Sequence, residues 1–238
     1  MAAQLVTRTA ERYRPDDHLV WSLLHRQQAP LVAASAVDDY LDGLDRLGLP
    51  ADHVPDLDAV NDGMAVHGDW RFVGAGGMVD GATFFGLLAD RRFPVTVAMR
   101  RRDELAFAEL PDLFHDLFGH GPYLANPRTA DLYHRFGRLG SRRADDPVFV
   151  EQLQRLLWAT LEVGLVQHGE QRKAIGGAIL SSASELARAL APGALAPRFD
   201  LDTVLAGPVD SFRLQQHYFV LGGTDEITTA LDDLEMAG

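Results

Sequence analysis

The residues best suited to chemistry lie in Glu109–Pro122, E-L-P-D-L-F-H-D-L-F-G-H-G-P, where His115 and His120 stand five positions apart. On a regular α-helix five steps turn the chain by about 500°, which would leave the two side chains about 140° apart. The local sequence offers a way round this. Pro111 and Asp112 suit a first helical turn, Leu113, Phe114, Leu117 and Phe118 supply an apolar side, and Gly119 offers a stop. A helix ending at Gly119, with Gly121-Pro122 preventing its resumption, leaves His120 on a turning segment that can swing back toward His115. Two imidazoles need a third ligand to make a metal site. Glu162 is the candidate, because it lies in Arg155–Val166 among apolar neighbours, where an ionised carboxylate is costly without a partner. Two histidines and a carboxylate with positions left open favour non-haem Fe(II) and oxygen chemistry over a closed structural zinc site. The competing reading keeps both histidines as hydrogen-bonded polar residues and pairs Glu162 with an arginine.

The elements that must position these groups read as mainly helical with a small β component. Residues 1–12 read as a loose, flexible tail, and residues 13–238 as one domain. Arg14-Pro15-Asp16-Asp17 starts a helix over His18–Gln28 with Leu19, Leu23 and Leu24 inward. A second helix starts at Ser35 as N-cap and runs to Leu47, where Gly48 and Pro50 close it; Pro55-Asp56 caps a short third that ends near Gly68. Arg71–Val73 and Phe93–Met99 read as strands. Downstream, Thr129–Arg138 reads as a helix with His134 on its surface. Pro147–Gln167 is a long helix that delivers Glu162 and is broken by Gly169, Phe212–Leu221 contains a strand, and Asp225–Met236 forms a short surface helix. The glycines of Gly74-Ala75-Gly76-Gly77 do not make a dinucleotide loop, since Val79 occupies the third glycine position. Ser182 and Ser184 have no nearby base, which argues against a hydrolase, and His18, His25, His53 and His67 group with no acid.

A formal charge of −12 and a pI near 5.1 argue against nucleic acid or an anionic membrane as partner. The chain has no cysteine, so disulfides and thiolate metal sites are excluded. No signal-peptide core opens the chain and no apolar run approaches a membrane span, so a cytoplasmic protein is expected.

His115-Asp116-Leu117-Phe118-Gly119-His120, preceded by Pro111-Asp112 and followed by Glu162-x-Gly164-Leu165 and Ile179-Leu180-Ser181-Ser182, resembles the pterin-dependent aromatic amino acid hydroxylases. Within that family the short bacterial phenylalanine hydroxylases are the nearest in pattern, from about Tyr13 to Leu221. The resemblance implies that family's catalytic-domain fold and a monooxygenase that uses Fe(II), O2 and a tetrahydropterin cosubstrate to convert phenylalanine to tyrosine. It implies His115, His120 and Glu162 as iron ligands and Arg100 as the grip on the substrate carboxylate, with Asp112 supporting it. Trp158, Val163, Ala178 and Ser181 fall at substrate positions, Met78, Val79 and Phe84 at the pterin wall, and Ser181 and Glu185 near an iron histidine. It leaves no room for the regulatory domain and tetramerisation helix of the animal members, so a monomer is expected. The pocket departs from the family pattern. Val163 stands for a Phe, Ala178 for a Gly, Leu157 and Ala159 for aromatics, Ile175 for a Tyr and Leu110 for a Glu. These changes admit other outcomes, meta-tyrosine or hydroxylation of tryptophan, and from a different class a non-catalytic metal- or pterin-binding protein.

Overall fold

A computed structural model of the chain describes residues 5–6, 13–106, 108–207 and 214–237. Strand β1 (Leu5–Val6) pairs antiparallel with Gly74 and Ala75, so these two residues of the expected tail belong to a sheet. Helix α1 (Pro15–Ser35) has Pro15 in its first turn, and the Asp17 carboxylate accepts the Arg14 N–H at 2.7 Å. It runs well past Gln28 and ends with Ser35 instead of being followed by a helix that Ser35 caps. Its buried stripe is Val20, Trp21, Leu24, Gln28 and Val32. Leu19, expected inward, falls off that stripe and is exposed. Helix α2 (Asp38–Leu47) closes at Gly48, whose φ of +59° is the left-handed conformation glycine adopts without strain. Asp56 caps helix α3 (Leu57–Met64), accepting the N–H groups of Asp58 and Ala59.

Strand β2 (Arg71–Ala75), helix α4 (Gly81–Ala89) and strand β3 (Arg92–Thr96) form a parallel crossover with Phe72 opposite Phe93. The expected strand to Met99 stops at Thr96, and Ala98 instead accepts the Leu113 N–H with its carbonyl. A π-helical segment, His115–His120, follows and leads without a break into α5 (Gly121–Ala125), then α6 (Pro127–Arg142) and α7 (Pro147–Leu157). A second π-helical segment, Trp158–Glu162, completes that rod. The helix expected to reach Gln167 therefore ends at Glu162. Strands β4 (Leu165–His168) and β5 (Gln171–Ala174) form a hairpin, and Gly169, at φ +59°, makes its turn instead of breaking a helix. Helices α8 (Gly177–Leu180), α9 (Ala183–Ala189) and α10 (Leu201–Ala206) come next. Strand β6 (Val220–Leu221) then lies parallel beside β4, and α11 (Asp225–Ala237) buries Ile227, Ala230, Leu231 and Leu234, so it is a packed element and not only a surface helix.

The mainly helical architecture agrees with the expected fold class. Its core backs the first π segment: Phe114 and Phe118 stack at 4.7 Å, and Trp21 meets Phe114 edge-on at 5.2 Å. Each such side chain, fully buried, contributes about 1.5–3 kcal/mol. That apolar face holds the segment down and leaves the histidines on its other side. Gln28 of α1 donates to the Leu180 carbonyl at 2.8 Å, tying α8 to the same core. Among the described residues no helix is long and apolar enough to cross a membrane.

Candidate metal centre and its cavity

The two histidines converge, but not by the route their spacing suggested. The helix does not stop at Gly119. Between Asp116 and Gly121 it winds i→i+5, with the Gly121 N–H bonded to the Asp116 carbonyl. In that wider winding the fifth residue returns nearly above the first, so the imidazole centroids of His115 and His120 lie 4.9 Å apart. Asp112 begins the segment by accepting the His115 N–H at 3.0 Å. Glu162 arrives by the same device: the Val163 N–H bonds the Trp158 carbonyl at 2.9 Å, and the Thr160 hydroxyl returns to the Leu156 carbonyl at 2.6 Å.

His120 Nε2 lies 3.2 Å from His115 Nε2 and 3.2 Å from Glu162 Oε2, and His115 Nε2 lies 3.7 Å from the same oxygen. Ligand atoms of the three side chains fall within 4.8 Å of one another. Among the described residues no arginine pairs with Glu162, whose charged partners are His115 and His120. Ser181 donates its hydroxyl to the Gly177 carbonyl at 2.8 Å and stands 3.0 Å from His115 Nδ1, so it accepts that nitrogen's proton and leaves Nε2 free. His120 Nδ1 faces the Tyr133 hydroxyl at 2.9 Å.

Charge in this cluster is unevenly shared. Burial, reinforced by His120, pushes His115 down to about 4, against the pull of Glu162. Burial lowers His120 as well, but the Glu162 carboxylate and then Asp116 outweigh it and its pKa is raised. Glu162 responds in kind: burial raises its pKa, and His120 followed by His115 bring it below the ordinary value. The His120 imidazole is thus the main partner of the Glu162 carboxylate, and a cation held by the three would take over that role. Asp116 accepts the Thr96 N–H at 2.6 Å and is pushed up to about 7 by burial.

The three ligands face a cavity of about 310 Å³. Every residue expected at the site lines it except Asp112. That carboxylate is buried behind Arg100, whose Nε and Nη2 donate to it at 2.9 and 2.8 Å. Burial raises the Asp112 pKa, and the Arg100 guanidinium more than reverses the effect. Arg100 is thereby fixed as a rigid fork at one end of the cavity. Met78, Val79, Phe84, Trp158, Val163 and Ala178 all line it. Of the departures from the family pattern, Leu110, Leu157, Val163 and Ala178 face the cavity. Ala159 instead packs with Val204 and Phe219, and Ile175 sits in the main core.

Glu185 lines the cavity, yet its hydrogen bonds run to Tyr218 and Gln215 and not to a histidine. It accepts the Tyr218 hydroxyl at 2.6 Å and the Gln215 N–H at 3.1 Å. The Trp158 indole N–H reaches the Gln215 side-chain oxygen at 3.4 Å, which closes this side of the cavity. Tyr133, Phe93 and Gln215 carry no local pattern that marks them as site residues, and Asp116 lies within the histidine motif without a role that its sequence position reveals. His134 is half-buried with Nε2 3.1 Å from the Ala89 carbonyl, instead of lying on the surface.

Residues 7–236 match the family model of the biopterin-dependent aromatic amino acid hydroxylases. The phenylalanine-4-hydroxylase of Pseudomonas aeruginosa is 37% identical over 210 residues, covering 88% of this chain and 79% of that protein. A crystal structure of Chromobacterium violaceum phenylalanine hydroxylase with iron(III) and oxidised 7,8-dihydrobiopterin matches with a TM-score of 0.90 at 33% identity, covering 98% of this chain and 85% of that one. The same enzyme with iron and phenylalanine bound matches at 0.87 and 33% identity, covering 98% and 86%. Such likeness over almost the whole length accompanies a cluster that gathers two imidazoles and a carboxylate at a cavity. The chain belongs to the biopterin-dependent aromatic amino acid hydroxylase family.

Proposed function

We propose that this protein hydroxylates phenylalanine to tyrosine with Fe(II), O2 and a tetrahydropterin consumed as cosubstrate. The observation that carries the reading is the convergence of His115, His120 and Glu162 on a cavity with a fixed arginine at one end. The donor set suits ferrous iron, since two imidazoles and one carboxylate leave positions open for other ligands. Iron held there would supply oxygen activation, with two electrons drawn from the pterin, one oxygen atom going to the ring and the other to the pterin.

The chain's own residues do the rest. Arg100 engages the substrate carboxylate through Nη1, since Nε and Nη2 are committed to Asp112. Trp158, Val163 and Ala178, with Leu157, wall the space for the aromatic ring, and Met78, Val79 and Phe84 wall the space for the pterin, Phe84 offering an aromatic face. Ser181 keeps His115 in the tautomer whose Nε2 can bind metal. Glu185 supports the substrate side indirectly by holding Gln215 and Tyr218. Substrate and pterin are thereby held at one centre, and such positioning makes their encounter effectively intramolecular.

The test is product identity. Fe(II)-loaded protein supplied with tetrahydropterin and phenylalanine is expected to give para-tyrosine, and no oxygen uptake with any aromatic amino acid would sink the proposal. A second reading rests on the aliphatic wall of Leu157 and Val163 and the extra methyl group of Ala178. It places a different ring carbon, or the larger indole, at the centre, and meta-tyrosine or hydroxytryptophan would select it. The reading also takes the protein as a monomer, supported by α11 turning Ile227, Leu231 and Leu234 onto its own core; a dimer in sedimentation would overturn that part.

A further inference from the structure

We propose that Tyr133 is a positioning residue for His120, its phenol oxygen accepting the Nδ1–H of the imidazole so that Nε2 is the atom left to take the cation. The inference rests on the reading of His120 as a metal ligand. Tyr133 comes from α6, is 1% exposed, and has its hydroxyl 2.9 Å from His120 Nδ1.

The imidazole has nowhere else to turn. Phe93 of β3 lies against it at 5.3 Å between centroids with 32° between planes, and the backbone of Gly177 lies against the ring from α8. Tyr133 is itself held, stacked on Tyr123 at 6.3 Å and edge-on to Trp70 at 6.5 Å and Phe93 at 6.1 Å. A fully buried Nδ1 in a fixed ring either finds its partner at Tyr133 or is left without one, and an orphaned buried donor is costly.

The partner at Nδ1 decides which nitrogen carries the proton of the neutral ring. Nε2 lies 3.2 Å from Glu162 Oε2. Without an acceptor at Nδ1, the favoured tautomer puts the proton on Nε2 and donates it to Glu162, which closes the site from within. With Tyr133 accepting at Nδ1, the proton sits on the far side of the ring and the Nε2 lone pair faces Glu162 and His115. Ser181, the residue that follows α8, performs the same service for His115. Each histidine of the cluster thus has an oxygen partner, one on α6 and one just past the end of α8.

The experiment compares Y133F with Y123F. Y133F keeps the ring and removes one oxygen. Y123F is the control, because Tyr123 is equally buried and its hydroxyl bonds the Ile175 carbonyl at 2.6 Å, away from the cluster. Metal-free protein is titrated with Co(II), whose visible bands report the ligand field. Y133F is expected to bind about 10–100-fold more weakly than wild type with shifted bands, and Y123F to bind as wild type does. Equal affinity for Y133F and wild type, or equal weakening in both variants, overturns the proposal while leaving the metal reading intact. A wild-type protein that takes up no Co(II) removes the metal reading and this inference with it. If Y133F does not fold, nitrogen-15 NMR of Zn(II)-loaded, histidine-labelled wild type decides the matter: a slowly exchanging His120 Nδ1–H is expected, and a proton on Nε2 overturns the proposal.

Discussion

Gly177 lies so close to the imidazole of His120 that a Cβ built on its backbone would fall 2.6 Å from the ring's Cε1. The ring cannot retreat, because Phe93 and Tyr133 occupy its other sides. G177A should therefore displace His120 from the cluster, weakening Co(II) or Fe(II) binding at least about tenfold and costing about 1–3 kcal/mol in stability through overpacking. Metal titration and thermal unfolding check the two effects separately, and unaltered affinity would mean that the ring has room to move.

Arg100 and Asp112 form a pair whose side chains are only 4% and 5% exposed. R100L strands a buried carboxylate and is expected to destabilise the fold by about 3–5 kcal/mol. R100K keeps a positive charge beside Asp112 but loses the planar fork, so the KM for the amino acid should rise about tenfold or more while the KM for the pterin stays put. A parallel rise in both would remove Arg100 from the substrate end.

Burial raises the pKa of Glu185, and its hydrogen bonds to Tyr218 and Gln215 and the charge of Arg188 offset that only in part. The folded chain then holds this proton more tightly than the unfolded chain does. Stability from this group is present below the unfolded glutamate pKa and is lost as pH rises through the raised folded value. E185Q cannot titrate there, so its stability relative to wild type should improve as pH rises from about 4 to about 7. Melting curves across that range are the measurement, and a flat difference would mean that Glu185 titrates alike in both states.

Three ligand groups gathered within 4.8 Å of one another should make stability depend on metal. At a free concentration of about 100 times Kd, Fe(II) or Co(II) should add about 2.7 kcal/mol, read as a rise in Tm. H120A should abolish that rise, as should E162A. A variant lacking either group that still gained the full shift would place the metal elsewhere.

The ligand set was legible in the sequence because residue chemistry reveals it. Paired histidines in a short segment and a glutamate stranded in Arg155–Val166 ask for a shared partner whatever the fold. The α3 cap at Asp56, the left-handed stop at Gly48 and the mainly helical class were legible for the same reason, being local. What the chain order could not convey was how the ligands meet. Periodicity assumes a regular helix, whereas His115 and His120 converge through an i→i+5 winding whose Gly119 packs directly against the Gly177 backbone. The end of the helix at Glu162 was likewise decided by pairing of β4 with β5 and β6, contacts made after the helix is over. Tyr133, Glu185 and Gln215 owe their roles to neighbours up to tens of residues away, so no window along the chain contains the information. Local chemistry named the atoms that bind; long-range packing set the winding, the tautomers and the walls around them.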